Sequence, residues 1–192
     1  MATYVLIHGA GDRASSWDLL RAELQARGHQ VVAIDLPCDD PSAGLWDYAE
    51  TVVDAIGART NLIVVAQSMG GFIAPLVCTR VPVEMLVLVA GMVPRPGERG
   101  SDYWANTGYD EAVGEQGQGE DSPLDLFYQD VPSDLAREVL SKGRSQAETP
   151  MREPWPLAAW PDVPTRFVLC RDDRFFPAEF QMLVKNSFPA IH

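Results

Sequence analysis

Histidine is scarce in this 192-residue chain, which has three: His8, His29 and His192. Chemistry that needs an imidazole base has only these to draw on. Cysteine is equally rare. Cys38, Cys78 and Cys170 are odd in number and follow no metal-binding or redox spacing. That excludes a disulfide framework, and reduced thiols in a cytoplasmic protein are the expectation. Positive charge is short as well: 15 Lys and Arg face 27 Asp and Glu, for a net charge of −12. A surface of that sign argues against nucleic acid or an anionic membrane as partner. Long apolar runs are missing. The longest, Met85–Val93, falls far short of the ~20 residues a membrane-spanning helix needs. No basic segment precedes the short run Tyr4–Ile7, as a signal peptide requires. Internal repeats are absent. What remains, 46% hydrophobic and 22% charged, suits a single globular domain over 1–192 with a substantial core.

The stretch around which the chain is organised is Asn61–Phe72, NLIVVAQSMGGF. A β-branched apolar run stops at Gln67-Ser68-Met69, two glycines follow, and a second apolar run begins. This reads as a buried strand turning sharply into a helix with a serine at the bend. Such a turn lifts a hydroxyl out of a parallel sheet and aims the first amides of the helix at it. The pattern G-x-S-x-G reads here Ala66-Gln67-Ser68-Met69-Gly70, with Ala for the first Gly. An ordinary strand–turn–helix with a serine cap would share part of the pattern.

Other segments fit the same plan. Strands are expected at Thr3–Ile7, Gln30–Leu36, Val83–Ala90 and Arg166–Cys170. Between them lie helical patterns: one capped by Ser15 or Ser16 with an apolar face at Trp17, Leu19, Leu20 and Leu24, then Leu45–Ile56, then Phe72–Thr79. Strands alternating with helices imply an α/β fold, with right-handed crossovers and a mainly parallel sheet of five to six strands carrying helices on both faces. An insertion over 92–161 separates the last two strands. Its part Asp110–Ser122 is rich in Gly and acid and is expected to be mobile. Ser133–Lys142 reads as a helix with Leu135, Val139 and Leu140 inward. Hung from the carboxyl edge of a sheet, and carrying Trp104, Phe127, Trp155 and Trp160, the insertion reads as a lid over a pocket.

The first turn, His8-Gly9-Ala10-Gly11-Asp12-Arg13-Ala14, admits two readings. One is a dinucleotide fingerprint, G-x-G-x-x-A, with Asp35 at the end of the next strand as a ribose acid. The other is an oxyanion loop, in which the Ala10 N–H and the Met69 N–H hold a developing negative oxygen. Two preorganised donors of this kind are worth several kcal/mol in the transition state. The second reading also explains Ser68, and Asp12–Ser16 delays the helix that a fingerprint needs at once.

These residues resemble the α/β-hydrolase superfamily, in its small esterase and hydroxynitrile-lyase branch with the plant methylesterases. The matching segments are VLIHGAGDRASSW, VVAIDLP, VVAQSMGGF and FVLCRDDRFFPAEFQ. The resemblance implies a serine hydrolase without a cofactor or metal, acting on small-molecule carboxylic esters through an acyl-enzyme. It implies Ser68 as nucleophile, Ala10 and Met69 as oxyanion-hole amides, and Asp173 as the acid of the triad, with Asp172 its neighbour. Lyase members carry a hydroxylated residue where this chain has Gly9, and a Lys beside the catalytic His, which points this chain to ester cleavage.

The base is the open question. The order in this fold is Ser, Asp, His, which leaves His192 as the catalytic base. Ala178–Ser187 makes a helix about 15 Å long that runs away from the active edge, and the last five residues span at most ~18 Å on the way back. The family's final strand and helix are expected to be lacking. Three outcomes follow: His192 arrives by an unusual path, a partner chain supplies the base, or the chain is an impaired member that binds a small apolar ligand. An open sheet edge favours a homodimer.

Overall fold

Apolar runs that alternate with amphipathic ones fold as the pattern directs. The computed structural model describes residues 1–113, 122–188 and 191–192. Among them five strands form one parallel sheet: β1 (Thr3–Ile7), β2 (Gln30–Ile34), β3 (Leu62–Gln67), β4 (Val83–Val89) and β5 (Thr165–Val168), in the order β2-β1-β3-β4-β5. Each lies within two residues of its expected bounds. The helices joining the first four strands are α1 (Asp18–Ala26), α2 (Leu45–Ile56) and α3 (Gly70–Cys78).

The crossover direction decides which face each helix covers. The chain steps outward from β1 to β2, then reverses to reach β3 and continues to β4. Right-handed connections therefore put α1 on one face and α2 and α3 on the other. The core follows the second set. Val5, Ile7, Val64, Ala66, Leu86 and Leu88 point into it from the sheet, and Tyr48, Val52, Phe72 and Leu76 meet them from α2 and α3. Of the alternate residues on the α1 face, Leu6 and Val65 are buried, while Ile63, Met85, Val87 and Val89 stay only half-buried.

That face corrects one expectation. α1 begins after a 3-10 turn, Ala14–Trp17, so Ser15 and Ser16 lie inside the turn and cap nothing. No residue of α1 is buried, and Leu19 is 74% exposed. The helix is amphipathic as read, but it lies beside edge strand β2 and leaves Met85, Val87 and Val89 of β4 only half-covered.

The segment between β4 and β5 holds short helices, α4 (Gly100–Thr107), α5 (Tyr109–Val113), α6 (Pro123–Phe127), α7 (Ser133–Ser141) and α8 (Thr149–Arg152). Of the stretch expected to be mobile, 110–113 is helical, and 114–121 lies outside the described residues. α5 is tied down where the Tyr109 hydroxyl donates to the Phe175 carbonyl at 2.8 Å. α7 buries Ala136 and keeps Val139 and Leu140 half-buried, but leaves Leu135, the third residue expected inward, exposed. The segment returns on Trp155, buried, whose indole N–H donates to the Phe72 carbonyl at 3.0 Å. After β5 comes α9 (Ala178–Asn186), and Ile191 then bridges Thr165 in parallel. None of the described helices is long and apolar enough to cross a membrane.

A one-sided core makes a direct prediction. Leu88 is fully buried and Val168, on the opposite face, is 45% exposed. Leu88→Ala should lower the unfolding free energy in urea by ~2–5 kcal/mol. Val168→Ala should cost under ~1 kcal/mol, because most of its side chain never leaves water.

Candidate active site

β3 ends at Gln67 and α3 begins at Gly70, so two residues make the bend. Ser68 takes φ +51° there. For a residue with a side chain that conformation costs of order 1–3 kcal/mol and persists only where neighbours hold it. Three hydrogen bonds do so. The Ser68 N–H donates to the Val89 carbonyl, and the Ser68 carbonyl accepts from Gly71 and Met92. Close packing beneath the bend requires glycine. A Cβ on Gly71 would stand 1.9 Å from the Met92 carbonyl oxygen. Gly70 lies closely, though less tightly, over the end of β1, with a Cβ 3.2 Å from the Ile7 and His8 carbonyls.

The β1 exit runs alongside. The Gly9 N–H donates to Gln67 Oε1 at 3.2 Å, and a Cβ on Gly9 would lie 3.2 Å from that of Ser68. The turn after β1 therefore passes directly over the serine. Neither the Ala10 N–H nor the Met69 N–H is bonded to another group among the described residues. Two unspent amides thus flank Ser68, one from each loop. The Ser68 hydroxyl likewise has no bonded partner among them.

His8 is fully buried beneath this turn. Its Nε2 accepts from the Leu36 N–H at 3.1 Å, so its Nδ1 carries the proton and donates to the Gly9 carbonyl at 2.7 Å. Both nitrogens are spent on the backbone, and the ring works as a brace between the β1 turn and the β2 exit. Burial, ahead of every other influence, makes the ring harder to protonate than the ordinary 6.5.

Asp173 follows β5 at the same carboxyl edge. Its Oδ1 accepts from the Phe175 and Phe176 amides at 2.9 and 2.8 Å, which fixes the carboxylate. Burial lifts its pKa, and the two amides oppose the lift. Around it Trp104, Tyr109, Phe175 and Phe176 pack ring to ring. Asp172 offers only its main-chain carbonyl, to Gln129 Nε2 at 2.7 Å. Of the two acids, Asp173 is the one whose side chain the fold orients.

His192 does not join this group. Its N–H donates to the Thr165 carbonyl and its carbonyl accepts from Phe167, which sets it beside Arg166 on the outer edge of β5. The sheet register puts Arg166 level with Val87 and Val65. His192 is therefore three residues below Ser68 and three strand spacings to the side, roughly 10 Å down and 14 Å across. Pairing with β5 holds Ile191 and His192 on the low half of the strand. His29 is equally distant from the chemistry. It takes the Ala2 N–H at 3.3 Å and meets the Tyr4 ring edge-on at the amino edge. An open polar hollow of about 520 Å³, lined by Met1, Thr3, Gln30, Arg59 and Asn61, also lies at that amino edge.

The turn leaves no room for a diphosphate, which removes the dinucleotide alternative. A Cβ on Gly11 would meet the Arg144 carbonyl at 2.7 Å, and the Gly11 N–H is taken by Gln146 Oε1 at 3.1 Å. Asp35 turns onto the Ala14 N–H at 2.8 Å. Gln67, Arg144 and Gln146 are contacts the sequence reading missed. They act on main-chain groups far away in the chain, and no local pattern marks them.

The pH dependence of stability checks the role given to His8. With its folded pKa depressed, the unfolded chain binds the proton more tightly. Its contribution is complete above about pH 6.5 and is lost as pH falls through the folded value. Urea midpoints measured from pH 7 to pH 5 should fall more steeply for the native chain than for His8→Gln, whatever the absolute stability of the variant.

A model described as "Alpha/beta hydrolase family" matches residues 4–190. Methylesterase 7 of Arabidopsis thaliana is 33% identical over 104 residues, which cover 47% of this chain and 40% of that protein. Norfluorocurarine synthase 1 of a Strychnos species is 31% identical over 103 residues, 47% of this chain and 39% of its own. In these matches the chain spans less than half of each relative. Methylesterase 2 of Arabidopsis thaliana matches at 23% identity across 97% of this chain and 84% of that protein. In three dimensions polyneuridine aldehyde esterase superposes with a TM-score of 0.79 at 19% identity, over 97% of this chain and 87% of that one.

Proposed function

The chain belongs to the alpha/beta hydrolase family, and on that premise we propose that it is a serine hydrolase of small carboxylic esters. The observation that carries the reading is Ser68, held at φ +51° between two unbonded amides. Ser68 Oγ attacks the ester carbonyl and its proton passes to a base. The carbonyl oxygen becomes an oxyanion, held by the Ala10 and Met69 N–H groups. The tetrahedral adduct collapses, the alcohol leaves with the proton, and the acyl group stays on Ser68 until water reverses the sequence. Donors that form full bonds only to the tetrahedral oxygen lower the barrier without tightening ground-state binding. The segment over 92–161 is the lid. Relatives whose names say methylesterase support an ester as the substrate class.

In this reading Asp173, which follows β5 two strands from β3, is the acid of the triad. The base between them is the part this reading has to supply. The positions of His8, His29 and His192 favour a second reading, in which the chain by itself binds esters and turns them over only through the oxyanion hole.

Hydrolysis of p-nitrophenyl acetate tests both. Ser68→Ala should reduce the rate to that of buffer, and His192→Ala should match the native chain. Added imidazole should raise the native rate above the Ser68→Ala background by about 10-fold or more, in the range general-base catalysis supplies. Equal rates in the native chain and Ser68→Ala, with and without imidazole, overturn the hydrolase reading. A loss of activity in His192→Ala would show that the terminal residue reaches the site after all. The β5 edge expected to be open for a homodimer is bonded by His192 at Thr165 and Phe167, so two copies would have to displace that contact to pair there, and a single monomeric species in sedimentation velocity overturns the homodimer.

A further inference from the structure

The Ala10 amide cannot hold its aim by local structure alone. It belongs to a turn with no helix or strand of its own, between Ile7 and the 3-10 turn at Ala14. From below, Gln67 and His8 fix the peptide groups of Gly9. From above, everything comes from one stretch after α7. The Arg144 N–H donates to the Gly11 carbonyl at 2.8 Å, and Gln146 Oε1 accepts from the Gly11 N–H at 3.1 Å. Both main-chain groups of the residue after Ala10 are therefore held by residues more than 130 positions away.

The clamp is anchored in turn. Arg144 Nη2 donates to the Asp12 and Leu36 carbonyls at 3.1 and 2.7 Å, joining the β1 turn to the β2 exit. Its side chain is only 13% exposed, with Asp39 at 3.5 Å and Asp35 at 4.0 Å to balance the buried guanidinium. Charge-assisted bonds in such a setting are among the stronger ones a protein makes. Gln146 Nε2 donates to the Tyr48 hydroxyl at 3.0 Å, which ties it to α2. The Ala147 N–H donates to the Cys38 carbonyl at 2.6 Å. Gly11 sits at φ +64° with no space for a Cβ against the Arg144 carbonyl, so turn and clamp fit only in this one arrangement.

We propose that Arg144 and Gln146 are positioning residues, which hold the Gly9–Asp12 turn so that the Ala10 N–H points at the oxygen bound over Ser68. The proposal rests on the hydrolase reading for its catalytic consequence, but its structural half stands without it. Neither residue touches substrate. Each acts through Gly11 and Asp12, and a donor displaced by as little as 1 Å costs up to about 100-fold in rate.

The test uses the full chain carrying Gln146→Ala, Arg144→Ala or Arg144→Lys, with Arg137→Ala on α7 as control, since Arg137 pairs only with exposed groups of its own helix. Hydrogen exchange of residues 8–13 is read first and needs no turnover. It should speed up at least 10-fold in Gln146→Ala and Arg144→Ala, with β3 and α3 unchanged. Arg144→Lys, which reaches fewer of the carbonyls, should fall between them and the native chain. Where Ser68-dependent turnover of p-nitrophenyl acetate is present, kcat should fall about 10- to 100-fold in the alanine variants while KM stays within about twofold. Arg137→Ala should change neither. Unchanged exchange in the alanine variants overturns the proposal, and so does faster exchange spread over the whole sheet, which would mean general destabilisation. Faster local exchange with kcat unaltered overturns its catalytic half. Absence of turnover in the native chain counts against the hydrolase reading alone, and the exchange result still decides whether the clamp exists.

Discussion

The Ser68 peptide is held on both sides by the exit of β4: its N–H by Val89, its carbonyl by Met92. Much of the architecture at the carboxyl edge depends on that grip. A strand that must become a helix within two residues needs a left-handed residue and two positions without side chains. It also needs neighbouring strands whose ends come close enough to bond the bend. A parallel sheet provides this, because all its strands finish at the same edge. With Gly70 pressed on β1 and Gly71 on Met92, α3 starts directly above the sheet. Its Phe72 carbonyl then faces outward to receive Trp155, which brings the long β4–β5 segment home. The bend thus sets both the place of a hydroxyl and the point where the returning segment is bonded.

Such constraints leave different traces in the sequence. The five strands were legible because buried parallel strands are nearly continuous apolar runs, and Leu62–Ala66 and Val83–Val89 are of that kind. The bend was legible because a serine followed by two glycines after such a run fits its close packing. α1 and α7 show where periodicity stops. The stripe on α1 is real, yet a stripe says which side is apolar and not whether anything covers it, and Leu19 remains in water. On α7, small Ala136 turned inward where the larger Leu135 was expected. Asp173 is preferred to Asp172 on its place four residues before Pro177, which says nothing of how either side chain is held. The amides of Phe175 and Phe176 separate them, and those depend on how the loop turns. Arg144 and Gln146 were illegible for a further reason. They bond backbone, which every residue possesses, so nothing at residues 11 or 12 announces its partner.

The three histidines divide by topology. His8 is spent at the carboxyl edge as a brace, with both ring nitrogens committed to main chain. His29 enters β2 and His192 pairs low on β5, at opposite margins of the sheet. The same asymmetry appears in the packing. Crossovers to β3, to β4 and beyond β5 run in one direction, so α2, α3 and α9 collect on one face. Among the described crossover helices, the other face receives α1.

The Gly11–Gln146 bond joins residues 135 positions apart. A chain leaving the ribosome at ~5–20 residues per second completes β1, β2, β3 and the Ser68 bend well before Gln146 emerges. The early half has the sequence for a sheet, a core and a serine. The turn that faces the serine waits of order 10 s for its clamp. Order of synthesis thus puts the residues that hold the Gly11 main chain well after the strands and the bend that this turn faces.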